Sequence, residues 1–223
     1  MPEVMAFGEK NGPHNSPPPK RRLKRFVLSA LRKEIRGRLK FVIWFGRRGG
    51  RDLDLLVVAE NSGSFSLGLG PIDATVVEAG EFEKLLSSRD PTVTEPLLTG
   101  ELLYGNQREF ERQRNTLFER PRSPVRVSSQ LRGRAVGLLF EASSSLRTFR
   151  RTGDRMALYA CLLSLSHACT CLFMAKHFGS EGEGTPTFSE VRARWPLAER
   201  ISLLVRKVKR GATPKVKTVS RFL

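Results

Sequence analysis

The chain has 223 residues, 39% of them hydrophobic, and a formal net charge of +17. That length has room for two modest domains or one larger one. The three cysteines are an odd number, and Glu3 and Glu9 precede any apolar run. Both features argue against a disulfide-built secreted scaffold and predict a cytoplasmic location.

The distribution of charge is more informative than its total. Residues 1–40 hold 11 Lys/Arg against 3 Asp/Glu, residues 41–105 hold 5 against 10, and residues 106–223 hold 23 against 9. An acidic segment between basic flanks is the arrangement an enzyme acting on a polyanion needs, with RNA the expected partner. The plainer alternative is that the basic residues only confer solubility.

In chain order, residues 1–19 carry Pro13, Pro17, Pro18 and Pro19 with little apolar content, which predicts a disordered arm. Residues 20–40 read as a basic amphipathic helix, with Phe26, Val27, Ala30, Leu31, Ile35 and Leu39 at helical spacing. Residues 41–58, FVIWFGRRGGRDLDLLVV, read as an apolar strand over 41–45, a basic glycine turn over 46–51 and a second strand over 53–58. Residues 59–70 are polar and glycine-rich and read as a loop. Residues 71–77, PIDATVV, read as a third strand.

Chemistry concentrates at the second strand. Alternate residues of a strand share a face, so Asp52 and Asp54 project together. Paired carboxylates repel and resist burial, and a divalent cation such as Mg²⁺ is the simplest reason to keep them together. Asp73 would join them if the third strand pairs beside the second, giving three acids facing a glycine turn, a site for phosphoryl or nucleotidyl transfer. Arg47, Arg48 and Arg51 in the turn would suit phosphate oxygens. An isolated Asp-x-Asp is equally at home as a turn cap; the third acid and the glycine turn distinguish the two.

Gly46, Asp52, Asp54 and Asp73 in this order resemble the nucleotidyltransferase superfamily, particularly its minimal nucleotidyltransferase branch, over residues 20–105. The resemblance implies a small mixed sheet with flanking helices. It also implies two metal ions on the first two acids, a role for the third in activating the attacking hydroxyl, and an NTP held by the glycine turn. The acceptor would be a tRNA end or a protein hydroxyl, since relatives include toxin–antitoxin systems of both kinds. The rival reading keeps the fold without catalysis, as an RNA-binding or regulatory module.

Further on, helices are expected over 81–86, 94–99 and 107–118, with a short strand over 101–104. The run ERPRSPVRVSS, residues 119–129, reads as a linker because Pro121 and Pro124 break helices. Residues 130–210 read as a helical bundle, with helices over 131–150, 155–178, 188–194 and 198–209. Asp154 would cap the second of these. Residues 156–175 approach the length of a membrane span, but Ser164, Ser166, His167 and Thr170 favour a buried helix. Cys161, Cys169 and Cys171 on that helix read as core. Residues 211–223 read as a loose basic tail.

The expected architecture is therefore α+β, with a nucleotidyltransferase-type domain over 20–118, a linker and an all-α bundle. The bundle's place and helix order resemble the HEPN type of domain; it would position a substrate, bind RNA, form a dimer or meet a HEPN-type partner. Arg200, Arg206 and Arg210 have no His downstream, which predicts no HEPN-type ribonuclease activity, and His167 and His177 read as core or helix-end residues.

Overall fold

A computed structural model describes residues 20–46, 53–69, 72–180, 184–209, 211–214, 219–220 and 222. The arm expected over 1–19 lies outside the described residues. The elements, in order, are α1 (Lys20–Glu34), β1 (Arg38–Phe45), β2 (Leu53–Glu60), β3 (Phe65–Leu69), β4 (Ile72–Glu78), α2 (Ala79–Ser87), α3 (Pro91–Thr99), β5 (Glu101–Tyr104), α4 (Gln107–Asn115), α5 (Pro124–Thr152), α6 (Arg155–Gly179), α7 (Phe188–Arg194) and α8 (Pro196–Lys209). The class is α+β, a five-stranded mixed sheet with flanking helices followed by a helical bundle.

The sheet runs β3-β4-β2-β1-β5. β2 is buried on both faces, which is why its sequence is an almost unbroken apolar run after Asp54. Leu55, Val57 and Ala59 pack with Val27 and Leu31 of α1, and with Ile35 just beyond it, on one face. Leu56 and Val58 pack on the other with Phe82, Val93, Leu97 and Phe110 from α2, α3 and α4. Each such fully buried side chain contributes roughly 1.5–3 kcal/mol.

Two boundaries in this half differ from expectation. The opening helix ends at Glu34, and Arg38–Lys40 belong to β1; a bulge between Leu39 and Phe41 turns Leu39 to the α1 face, the face its helical spacing with Leu31 and Ile35 also suggested. The stretch read as a loop contains β3, which pairs antiparallel to β4 at the sheet edge. This strand sets the topology. β2 and β4 are parallel, so the chain must return to the end where β2 began, and β3 is the return run.

The helical half begins earlier than the sequence suggested. Pro124 does not interrupt a linker; it occupies the first turn of α5, where its missing N–H costs nothing and its fixed φ suits the helix. The non-helical joint is thus confined to about residues 116–123 rather than 119–129. α5 ends at Gly153, whose φ of +69° is the left-handed cap conformation, and Asp154 Oδ1 accepts from Met156 N at 2.9 Å to start α6. α6 is long and apolar enough by composition to cross a membrane, and it packs here between α5 and α8. Cys161 and Cys169 join the cluster with Val191, Ile201 and Val208, while Cys171 joins Leu131, Ala135 and Met174. The expected tail is not loose throughout: Val219 is fully buried in the first of these clusters.

The two halves are bonded through α3 and its N-cap and through the turn after α4. Asp90 Oδ2 meets Arg134 Nε at 3.3 Å, Glu95 Oε2 accepts from Phe188 N at 2.7 Å, and Leu117 O accepts from Thr185 N at 2.8 Å.

Candidate active site

The parallel pairing of β2 with β4 puts Asp54 directly opposite Asp73. Facing residues of adjacent strands share a side of the sheet, and here it is the side of Leu56, Val58 and Val77, covered by α2, α3 and α4. Both acids lie at the first turn of their strands, ahead of the apolar stretch, which leaves Asp54 half-buried and Asp73 exposed. The strand read over 71–77, β4, therefore meets the condition on which Asp73 was to join Asp54. On its other side Asp73 faces Gly68 of β3, where a Cβ would meet nothing within 4 Å. Asp73 thus has a carboxylate as one neighbour and open space as the other.

Gly46 closes the end of β1 with φ +88°, in the left-handed region that glycine tolerates. Phe45 is the register partner of Asp54, so the chain leaves β1 beside that acid. A Cβ at Gly46 would collide with Asp54 Oδ2. The backbone angle calls for glycine there, and any side chain would also have to displace the Asp54 carboxylate.

The structure thus brings Gly46, Asp54 and Asp73 to one corner of the sheet. Asp52, Arg47, Arg48 and Arg51 lie outside the described residues. Among the described residues no three His, Cys, Asp or Glu side chains form a set able to hold a metal ion. Two adjacent carboxylates on one face, at a solvent-accessible strand end, are nonetheless an oxygen donor set of the type that divalent Mg²⁺ takes, with water and phosphate oxygens filling the rest of its shell.

A cleft of about 500 Å³ begins at Phe45 and Gly46 and passes over Leu102 to Gln107, Glu111 and Arg114 of α4. Gln107 Nε2 donates to Glu111 Oε1 at 2.7 Å. Arg114 Nη2 donates to Leu98 O at 3.0 Å, while its buried Nε has no partner among the described residues. Sequence reasoning placed α4 but not its part in this cleft. The signal was the i, i+4, i+7 spacing of Gln107, Glu111 and Arg114, which puts three polar groups on one helix face.

Among the described residues, His167 and His177 make their ring contacts in the helical half, away from this corner. His167 stacks on Phe188 with centroids 5.6 Å apart, and burial lowers its pKa. His177 Nε2 is 2.9 Å from Gly184 O and the ring stacks on Phe173. Burial pushes the thiols of Cys161 and Cys169 up to about 11 and that of Cys171 to about 12, so none has thiolate character near neutrality.

No protein-family model and no curated protein matches the chain. Among solved structures the chain is similar to a nucleotidyltransferase-like protein from Exiguobacterium sibiricum, at 12% identity, covering 90% of this chain and 70% of that one with a TM-score of 0.41. A likeness at that level says nothing of this chain's activity.

Proposed function

We propose that the chain is a Mg²⁺-dependent nucleotidyltransferase that moves a nucleoside monophosphate from an NTP to a hydroxyl on RNA or on a protein. The observation that carries this reading is the pairing of Asp54 with Asp73 on one sheet face, with Gly46 held against Asp54. Asp54, with Asp52, would hold the metal, and Asp73 would complete its shell or take the acceptor proton. Bound Mg²⁺ would supply charge neutralisation for the triphosphate. In the transfer the acceptor oxygen bonds to the α-phosphorus, the bond to the β-phosphate oxygen breaks, and pyrophosphate leaves. The bare flank of Asp73 beside Gly68 offers the acceptor an approach that does not cross Asp54. The triphosphate would lie toward Gly46 and the cleft of Arg114, with Arg47, Arg48 and Arg51 of the turn as phosphate contacts.

The test is transfer of α-labelled ATP, CTP, GTP or UTP to total RNA or cell lysate, comparing wild type with Asp54→Asn and Asp73→Asn. Label transfer by wild type is expected to fall by about 10²–10³-fold in each variant, the usual cost of removing a group that stabilises developing charge. Ribonuclease or protease treatment of the labelled product identifies the acceptor. Equal transfer by wild type and both variants would refute the assignment.

A second reading is a catalytically silent RNA-binding module, favoured by the excess of 23 Lys/Arg over 9 Asp/Glu in residues 106–223. Absence of transfer from all four nucleotides, with RNA binding intact, selects it.

A further inference from the structure

A second cleft, of about 410 Å³, opens between the end of α2, the joint at 116–123 and the first turn of α5. It shares no lining residue with the cleft beside Gly46. Arg89, Arg122 and Arg126 line it against one carboxylate, Glu83. That carboxylate is engaged: Glu83 Oε1 accepts from Gln113 Nε2 at 3.1 Å and lies 4.0 Å from Lys40 Nζ.

Arg89 is the unusual member. It terminates α2 at φ +57°, a conformation that costs a side-chain-bearing residue about 1–2 kcal/mol and that glycine adopts freely. The side chain is nevertheless present, and the residue is 7% exposed. Its Nη2 donates to Thr116 O at 2.6 Å and weakly to Glu119 O at 3.4 Å, both neutral acceptors. Nε and Nη1 donate to no described residue, yet neither is sealed from solvent. The guanidinium is therefore fixed in the wall of the cleft with donors to spare. Arg122 and Arg126 are exposed and form no ion pair or hydrogen bond with a described residue.

The backbone adds to the same field. α5 is 29 residues long, and Ser123 at its N-cap makes no side-chain hydrogen bond to the first turn. Pro124 has no N–H, and the amides of Val125 and Arg126 bond to no described group. Unpaired first-turn amides and the positive end of a helix dipole attract anions. The Glu119 carboxylate acts on Arg89 alone, so a solvated basic face would account neither for a buried arginine in a glycine conformation nor for Arg122 and Arg126 beside it without an ion pair to a described residue.

The geometry points to a phosphate site in this cleft: Arg89 forms its wall, Arg122 and Arg126 clamp the ligand, and the first amides of α5 cradle it. The phosphate belongs either to an RNA strand or to a free nucleotide. The site does not depend on the acid pair, so its test omits Mg²⁺ and transfer.

The full chain in EDTA is titrated against a labelled single-stranded RNA of about 20 nucleotides, and separately against labelled ATP. The variants are Arg122→Ala/Arg126→Ala, Arg89→Gly, and the control pair Arg147→Ala/Arg151→Ala, exposed on α5 at the same i, i+4 spacing. Removing cations from the first turn of a helix does not weaken it, so the first variant keeps its fold even if Arg89→Gly does not. The expected result is about tenfold weaker binding by the cleft pair and a salt slope lower by about two, one per lost phosphate contact, with a change below about threefold in the control. Loss in the RNA arm assigns the phosphate to a strand, and loss in the ATP arm alone assigns it to the nucleotide. Equal losses by the cleft and control pairs in both arms would overturn the site.

Discussion

Gly46 leaves the space that the Asp54 carboxylate occupies. Any side chain at Gly46 meets the Asp54 carboxylate and must also hold φ +88°. Gly46→Ala should therefore turn the carboxylate away from Asp73, at a backbone cost of about 1–2 kcal/mol. Displacing a reacting group by about 1 Å is enough to cost roughly 10²-fold in rate, whereas the melting temperature should fall by only about 2–8 °C. Transfer assays alongside thermal melts separate the two effects; an alanine variant with full transfer would show that this contact does not position Asp54. At this scale the acid pair was legible because carboxylates ahead of an apolar strand have few structural uses. Arg114 and Arg89 were not, because an arginine on a basic chain carries no sign of whether it is buried until the fold is known.

The least legible element is β3, and it matters most to the corner where the acids meet. Its sequence, FSLGL, is short, mostly exposed and broken by Gly68, so it lacks the apolar alternation that marked β1, β2 and β4. Edge strands need little burial, and pattern reasoning depends on burial. α5 was misplaced at its start for a different reason: Pro124 signals either a break or a first turn, and only the residues after it decide. The joint between the halves makes its own prediction. Asp90 has a side chain only 5% exposed and takes its ion pair from Arg134, itself 44% exposed. Solvent screens the arginine, so Arg134→Ala should cost about 1–2 kcal/mol rather than the 3–5 of a fully buried pair. Urea unfolding measures it, and Arg134→Lys should recover part. A loss under about 0.3 kcal/mol would mean that the hydrogen bonds of Glu95 and Leu117 and the apolar contacts hold the halves together without this ion pair.

Across the whole molecule, two buried groups at the same junction pull its stability in opposite directions with pH. Burial lowers the pKa of His167, with Arg134 lowering it further and Asp90 and Glu141 raising it. A depressed folded pKa means that the unfolded chain takes up the proton first. The stability linked to His167 is present above about pH 6.5 and is lost as pH falls below it. Glu95 is the reverse. Burial raises its pKa despite the hydrogen bond from Phe188 N, so its contribution is full below about pH 4.5 and is lost as pH rises through the folded value. Between pH 7.5 and 5.5 the wild type should lose more stability than His167→Gln. Urea midpoints at three pH values test this, and parallel curves for the two proteins would contradict it.

The hairpin that carries Asp73 also makes its aim a matter of parity. One residue gained or lost inside β4, between Ile72 and Asp73, would swing that acid to the rear of the sheet, among the side chains facing α1, while two would keep its heading but slide it about 6.6 Å along the strand. Extra residues at the hairpin's open end, around 61–64 where β2 leads into β3, shift neither strand against the other. Length changes should thus be harmless at one end of this hairpin and disabling at the other.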